Sequence, residues 1–245
     1  LKNVKNLSSP KCINFIKGRV GVLSSEETIN AQEIFLSDLD PNIYSDSTFK
    51  NICTTLQKYH SKTLKQVELY KVDEMNQYDF LIDKGNRDAF NKVKNNLTSL
   101  YKLKDSLTVC KARIHGDITY RNILVNNQKL FFIDFERASF DFPEFDYLNF
   151  ILDFHFHSTP KTSYRNYIDY LVDIYIDKNF LHIFSMLEED NNFKSKNPDN
   201  IQLIYLKYLI RQVAIVTNVS YYEKYIDINS IYKSINNKIT TKRGE

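Results

Sequence analysis

The sequence predicts an α+β protein that is mostly helical and carries one small β element. Apolar residues recur at helical spacing over long stretches before residue 105 and after residue 160. Between these stretches, two short apolar runs flank an Asn-rich turn. No repeat and no Pro- or Ser-rich linker divides the 245 residues, which are enough for one sizeable domain or for two lobes that share a core.

The elements of the first hundred residues are predicted from local composition and periodicity. Residues 11–22 are rich in β-branched and apolar side chains and end near Gly18 and Gly21, so we expect one strand that runs into a turn. Ser47 is a candidate cap for a helix that has these residues on one side: Phe49, Ile52, Cys53, Leu56 and His60. A second helix is expected over residues 87–103, with these residues facing inward: Phe90, Val93, Leu97, Leu100 and Tyr101.

The centre of the chain predicts a β-hairpin, and the remainder predicts helices. The apolar runs 123–125 and 130–135 are separated by the polar residues 126–129, a pattern typical of two strands and a tight turn. Beyond Pro160, one helical stripe contains Tyr164, Tyr167, Ile168, Leu171 and Tyr175. A later, largely buried helix is expected to contain Leu203, Leu206, Tyr208, Leu209 and Val213.

Composition excludes several classes of function. The 33 basic and 30 acidic residues give a net charge of +3 and are mixed along the chain, which argues against a nucleic-acid partner or an anionic membrane surface. The most apolar late stretch, residues 201–215, is interrupted by Lys207 and Arg211, so we expect no membrane span. Three widely spaced cysteines predict neither a zinc site nor a disulfide framework, and reduced thiols indicate a cytoplasmic protein.

Three oxygen-bearing side chains flank the predicted hairpin. Asp117 and Asn122 lie five residues apart in the loop before the first strand, and Asp134 ends the second strand. Because strand pairing brings both ends of a hairpin to one side, the three side chains can converge. Mg²⁺ prefers oxygen and is usually held by one or two protein groups together with substrate phosphates, which suits Asn122 and Asp134. Asp117 is then left to orient and deprotonate an attacking hydroxyl.

Each of these residues alone is more often a turn or cap residue. Their order and spacing together, however, resemble those of a known family. The run from His115 to Asn122, followed by residues 133–136 (Ile-Asp-Phe-Glu), resembles the catalytic and metal-binding segments of the aminoglycoside phosphotransferase and choline kinase superfamily. The resemblance implies a protein-kinase-like fold, of which this chain is mostly the helical C-terminal lobe with a small catalytic hairpin. It implies Asp117 as the base, Asn122 and Asp134 as metal ligands, Mg²⁺ and ATP as cofactors, and a small-molecule hydroxyl as acceptor.

The same resemblance assigns supporting residues. By similarity, His115 is a buried hydrogen-bonding support, and Asp146 matches the later structural aspartate of the superfamily. Glu136 matches the acidic residue after the metal site, where it either supports the metal ligands or forms an ordinary ion pair.

The N-terminal part of a complete kinase of this type is not found in the sequence. Residues 13–18 resemble the hinge that binds adenine through its backbone, and this resemblance implies nucleotide binding by Asn14, Phe15 and Ile16. The five glycines form no phosphate-binding cluster, and only about a dozen residues precede the hinge. We therefore expect residues 1–30 to be a remnant of the N-terminal lobe with the hinge, and residues 31–245 to be the C-terminal lobe. Three alternatives are open for the missing lobe: it has been removed, it is supplied by a partner segment, or it is absent from the natural protein.

The acceptor is left open between an amino alcohol, such as choline or ethanolamine, and a sugar. The His-Gly-Asp triplet at residues 115–117 differs from the His-Asn-Asp of eukaryotic choline kinases and is closer to kinase-like proteins of bacterial surface-polysaccharide synthesis. The alternative is a non-catalytic kinase-like module that scaffolds or regulates such synthesis. Protein kinase activity is disfavoured, because neither an Ala-Pro-Glu segment nor a long activation loop follows Asp134.

Overall fold

The structure, a computed structural model, divides into two compact units. It describes residues 12–17, 22–26, 32–33, 47–70, 78, 81–82, 84–99, 101, 106–126, 129–158, 167–191, 198–216 and 228–243. The first unit is formed by residues 1–65 and 111–158, and the second by residues 66–110 and 159–245. The predicted division of the chain at residue 30 stays a prediction.

Short strands and longer helices make up the described chain. The strands are β1 (Cys12–Lys17), β2 (Val22–Glu26), β3 (Gln32–Glu33), β4 (Lys65–Tyr70), β5 (Ser106–Ile114), β6 (Ile123–Asn126), β7 (Lys129–Phe132) and β8 (Ser139–Asp141). The helices are α1 (Ser47–Ser61), α2 (Arg87–Thr98), α3 (Glu144–Ser158), α4 (Tyr167–Ile176), α5 (Phe180–Asn191), α6 (Pro198–Val216) and α7 (Ile228–Arg243).

The strands form three small sheets. β1 and β2 form an antiparallel pair, so the strand predicted over residues 11–22 is shorter than expected and has a partner that the sequence did not predict. β3, β6 and β7 form a second sheet, and β4, β5 and β8 form a third. The third sheet was also not predicted, because its strands are far apart in the sequence.

Helix α1 confirms the predicted apolar face in the first unit. Phe49, Ile52, Cys53, Leu56 and His60 are all buried, because the spacing 3, 1, 3 and 4 places them on one side of the helix. Phe49 stacks on Phe150 of α3 with ring centroids 5.8 Å apart. Helix α1 therefore supplies one wall of the core that supports the candidate site.

The predicted hairpin is present as β6 and β7. Their antiparallel register pairs Ile123 with Phe132 at the open end and Asn126 with Lys129 near the turn. The second strand ends at Phe132, earlier than predicted, because Asp134 adopts the left-handed conformation (φ 63°, ψ 66°) and a 3₁₀ turn, Phe135–Arg137, follows.

The second unit is a helical assembly around α6. The five residues predicted to be buried in this helix are all at most 2% exposed. Tyr205 of α6 stacks on Tyr175 of α4 and on Phe180 of α5, with ring centroids 6.1 and 5.1 Å away. None of the helices in the described part of the chain has the length and apolar character needed to cross a membrane.

Helix α2 of the second unit ends at Thr98, whereas the periodicity predicted a helix to residue 103. The hydroxyls of Thr98 and Ser99 donate to the carbonyls of Asn95 and Asn96, which takes up acceptors of the last turn and closes the helix. Tyr101 is buried as predicted, although it lies beyond the helix.

Candidate active site

A buried carboxylate fixes the loop that follows β5. Asp146, in the first turn of α3, is fully buried and accepts the backbone N–H of His115 at 2.9 Å and that of Gly116 at 2.7 Å. The Nε2 atom of His60, at the end of α1, lies 2.8 Å from the same carboxylate. Three donors therefore converge on Asp146, whose position at a helix N-terminus favours negative charge. The geometry supports the structural role that the resemblance implied for Asp146.

The ring of His115 links this loop to the hairpin. Its Nε2 lies 2.8 Å from the carbonyl oxygen of Ile133, an acceptor only, so Nε2 carries the proton. Its Nδ1 then accepts the backbone N–H of Asp117 at 3.4 Å. Burial lowers the pKa of His115, and this effect outweighs the nearby carboxylates. The hydrogen bonds of the ring join the loop to the hairpin, and the supporting role that the resemblance implied for His115 stays a prediction.

Gly116 allows the chain to turn at this point. Its φ of 84° lies in the left-handed region, which residues with a Cβ rarely adopt. This turn lets two consecutive backbone N–H groups point at Asp146 while the following side chain, Asp117, leaves the core.

Asp117 is partly exposed and is held by two side chains. Its Oδ1 accepts a hydrogen bond from Nη1 of Arg137 at 3.1 Å, and its Oδ2 lies 3.5 Å from Nδ2 of Asn122. The exposed fraction of the Asp117 side chain is 25%. A carboxylate in this setting is accessible to a substrate and is still restricted in its rotation.

The orientation of the Asn122 amide follows from its partner. Its Nδ2 donates to the backbone carbonyl of Asp117 at 2.8 Å, and a carbonyl oxygen only accepts, so the nitrogen must face Asp117. The amide oxygen is therefore directed away from that carbonyl. The backbone of Asn122 also accepts from the N–H of Ile133 at 3.1 Å, which places it beside the residue that precedes Asp134.

Asp134 and Glu136 are exposed near the open end of the hairpin. The carboxylates of Asp117 and Asp134 each oppose the effect of burial and raise the pKa of His115. The backbone places Asp134 next to Ile133, which is bonded to Asn122, and the joint action of Asp117, Asn122 and Asp134 in one site stays a prediction. Glu136 lies on the 3₁₀ turn beside Arg137, and its two alternative roles stay predictions.

These residues fit a hard divalent cation. The amide oxygen of Asn122 and the exposed carboxylate of Asp134 are oxygen donors of the kind that Mg²⁺ takes in proteins, with substrate phosphates completing its coordination. Among the described residues, no three His, Cys, Asp or Glu side chains form a group that would hold a metal without such help.

The nucleotide-binding residues predicted at the hinge are not tested by the structure. Asn14, Phe15 and Ile16 lie in β1, and their side chains are outside the described part of the chain. Their proposed role stays a prediction.

Sequence reasoning missed Arg137 and the contact between His60 and Asp146. Arg137 lies three residues after Asp134 in the sequence, and this spacing alone does not indicate a bond to Asp117. His60 and Asp146 are separated by 86 positions, so only the folded chain reveals their contact.

Comparison with known proteins finds a family match over the segment that contains the candidate site. Residues 85–173, which contain Asp117, Asn122 and Asp134, match the model of the phosphotransferase enzyme family. No curated protein matches the chain. The resemblance to phosphotransferases of the aminoglycoside phosphotransferase type, predicted from the sequence, is confirmed over these residues by the family model.

Three solved structures align with most of this chain. The amicoumacin kinase hAmiN, in complex with AMP-PNP, Ca²⁺ and Ami, is 11% identical with a TM-score of 0.53, over 96% of this chain and 73% of its own. A thermostable mutant of aminoglycoside phosphotransferase APH(4)-Ia is 12% identical with a TM-score of 0.48, over 98% and 79%. A choline/ethanolamine kinase family protein from Mesorhizobium loti is 12% identical with a TM-score of 0.46, over 95% and 73%. The likeness to the amicoumacin kinase confirms the predicted α+β, kinase-like fold.

Proposed function

We propose that this protein transfers the terminal phosphoryl group of Mg²⁺-ATP to a hydroxyl of a small molecule. The observation that carries the proposal is the hydrogen bond from the Asn122 amide to Asp117, at the end of the β6–β7 hairpin where the chain continues through Ile133 to Asp134. The match of residues 85–173 to a phosphotransferase family supports it. The similar amicoumacin kinase is described with AMP-PNP and Ca²⁺, a nucleotide and a divalent cation of the classes proposed here.

In this proposal Asp117 is the base. Its carboxylate orients the acceptor hydroxyl and takes the proton as the hydroxyl oxygen bonds to the γ-phosphorus and the bond to the β–γ bridging oxygen breaks. The products are a phosphate monoester and ADP. The protein contributes mainly position, because the backbone before Asp117 is fixed by Asp146 and the side chain is held by Arg137 and Asn122.

Asn122 and Asp134 would hold the metal ion. When bound, Mg²⁺ neutralises charge on the phosphates of the nucleotide. The task of the protein here is to present two oxygen donors, and the bond from the Asn122 amide nitrogen to the Asp117 carbonyl directs the amide oxygen away from that carbonyl. The acceptor is proposed to be a choline- or ethanolamine-like amino alcohol or a sugar, in line with the motif at residues 115–122.

The first test is the substitution Asp117→Asn in the natural full-length protein, assayed with Mg²⁺-ATP and a panel of choline, ethanolamine and simple sugars. We expect phosphate monoester formation, followed by ³¹P NMR and ADP release, to fall by about 100-fold or more, because general-base assistance is worth about 10²–10⁴-fold. Asp88→Asn, at an exposed aspartate of α2, is the matched control and should retain the parent rate.

Unchanged turnover of Asp117→Asn would refute the assigned base. If the parent neither binds Mg²⁺-ATP in calorimetry nor transfers phosphoryl to any acceptor of the panel, the non-catalytic scaffold is the better account. A parent that phosphorylates peptides but none of the small molecules would refute the proposed acceptor class.

A further inference from the structure

Arg137 follows the second strand of the hairpin, but it contacts the loop before the first strand, residues 115–122 (the catalytic loop). Its Nη1 donates to Oδ1 of Asp117 at 3.1 Å, across 20 positions of sequence. The exposed fractions of the two side chains are 21% and 25%, so the pair is neither fully buried nor freely solvated. The contact therefore joins the proposed base to the segment that carries Asp134.

The backbone that presents Arg137 is held in place. The 3₁₀ turn Phe135–Arg137 is closed by a bond from the N–H of Ala138 to the carbonyl of Phe135 at 3.0 Å. The ring of Phe135 packs on the ring of His115 with centroids 4.3 Å apart. His115 is also hydrogen-bonded to the carbonyl of Ile133, so the same ring contacts both sides of the turn. The backbone from which the Arg137 side chain extends is therefore fixed relative to the catalytic loop.

We propose that Arg137 is a positioning residue for phosphoryl transfer, and that its guanidinium holds the Asp117 carboxylate in the orientation that receives the acceptor proton. This inference rests on the proposed function. The geometry favours it because Nη1 of Arg137 donates to Oδ1, whereas Nδ2 of Asn122 faces Oδ2, so the two side chains hold the carboxylate from different sides. A planar guanidinium directs its N–H groups along fixed lines, which restricts the rotation of a bonded carboxylate.

If Arg137 served stability alone, its removal would lower the melting temperature and the rate together, whereas the positioning role predicts a loss of rate at nearly unchanged stability. An ion pair that is about a quarter exposed is partly screened by solvent, so we expect its contribution to folding to be modest, of about 1 kcal/mol. Removal of Arg137 should thus leave the melting temperature near that of the parent. Loss of orientation should instead appear in kcat, because misplacement of a reacting group by about 1 Å can cost about 100-fold in rate.

The test compares Arg137→Ala, Arg137→Lys and the control Arg87→Ala, which removes an exposed arginine of α2, in the full-length protein. We expect Arg137→Ala to lower kcat by about 10- to 100-fold with the KM for Mg²⁺-ATP within about threefold of the parent. Millimolar guanidinium chloride should restore part of the lost kcat in Arg137→Ala only. Arg137→Lys should be intermediate, because lysine keeps the charge but not the planar donor group.

Asp117→Asn, measured in the same assay, separates the two ideas. If Asp117→Asn abolishes transfer while Arg137→Ala keeps the parent kcat, the positioning role is wrong and the proposed function stands. If Arg137→Ala loses kcat together with its melting temperature and guanidinium restores nothing, the residue is structural and the inference is also wrong. A parent that transfers no phosphoryl group, or an Asp117→Asn variant that retains it, overturns the proposed base and this inference together.

Discussion

At the scale of single residues, Glu144 is a carboxyl group placed where charge is costly. It begins helix α3, is only 4% exposed, and its Oε2 has no hydrogen-bond partner in the described part of the chain. Burial raises its pKa from 4.5 to about 8, the carboxylate of Asp141 adds to this, and its own backbone N–H opposes it. Glu144 is therefore mostly protonated at neutral pH.

The raised pKa of Glu144 predicts a loss of stability as pH rises. Between about pH 4.5 and 8 the unfolded chain has released this proton while the folded protein retains it, so the free energy of unfolding falls, by at most about 1.4 kcal/mol per pH unit. Glu144→Gln removes this dependence, since glutamine has nearly the same shape and no charge. Urea unfolding of parent and variant at pH 5, 6.5 and 8 measures the difference, which should grow with pH in favour of the variant. A difference that stays constant would contradict the buried protonated carboxyl.

At the scale of elements, Asp146 ties α1, α3 and the loop after β5 together in the first unit. Its carboxylate faces His60 and the backbone N–H groups of His115 and Gly116, and the side chain is fully buried. A buried carboxylate with three donors is costly to alter, because any lost acceptor leaves a donor unsatisfied away from water.

Asp146→Asn replaces one acceptor oxygen with an NH₂ group that faces a donor. We expect the free energy of unfolding to fall by about 2–4 kcal/mol, because a buried network is broken at one partner. Urea denaturation gives the magnitude, and faster amide hydrogen exchange at His115 and Gly116 locates the effect. Asp88→Asn, at an exposed site in the first turn of α2, should lower stability by at most about 1 kcal/mol, because it loses only a favourable charge near the helix N-terminus. A loss below about 1 kcal/mol for Asp146→Asn would show that the loop does not depend on this carboxylate.

The elements that could be predicted are those whose contacts join residues close together in the sequence. The buried face of α1, the β6–β7 hairpin and the core of α6 depend on residues close in sequence, so periodicity and turn composition were sufficient. The sheet of β4, β5 and β8 depends on partners that are tens of residues apart, for which the sequence has no local signal.

The candidate site divides in the same way. Asp117, Asn122 and Asp134 were predicted because a hairpin brings its two ends together, and the bonds from Asn122 to Asp117 and from Ile133 to Asn122 agree with this. Arg137 was not predicted, since its direction depends on the left-handed conformation of Asp134 and on the 3₁₀ turn that follows. The position of Arg137 thus depends on the backbone conformation of Asp134, which residue spacing in the sequence does not reveal.

At the scale of the whole molecule, the chain passes between its two units three times, after residues 65, 110 and 158. Neither unit is therefore one continuous segment. Each has its own apolar interior: Leu56 of α1 belongs to the first unit and Leu206 of α6 to the second, and both are fully buried. Each also has an exposed leucine, Leu64 in the first unit and Leu181 in the second, at 49% and 39%.

These four leucines give a matched test of the two interiors. Leu56→Ala and Leu206→Ala should each lower the free energy of unfolding by about 2–5 kcal/mol, because the transfer of the removed methyl groups and the remaining cavity both cost stability. Leu64→Ala and Leu181→Ala remove the same atoms from water-exposed positions and should cost less than about 0.5 kcal/mol. Urea unfolding gives the magnitudes, and native-state hydrogen exchange should show reduced protection in the unit that contains the buried substitution. If a buried leucine costs no more than its exposed counterpart in the same unit, that unit does not have the packed interior described here, and the support of the candidate site by α1 would need another explanation.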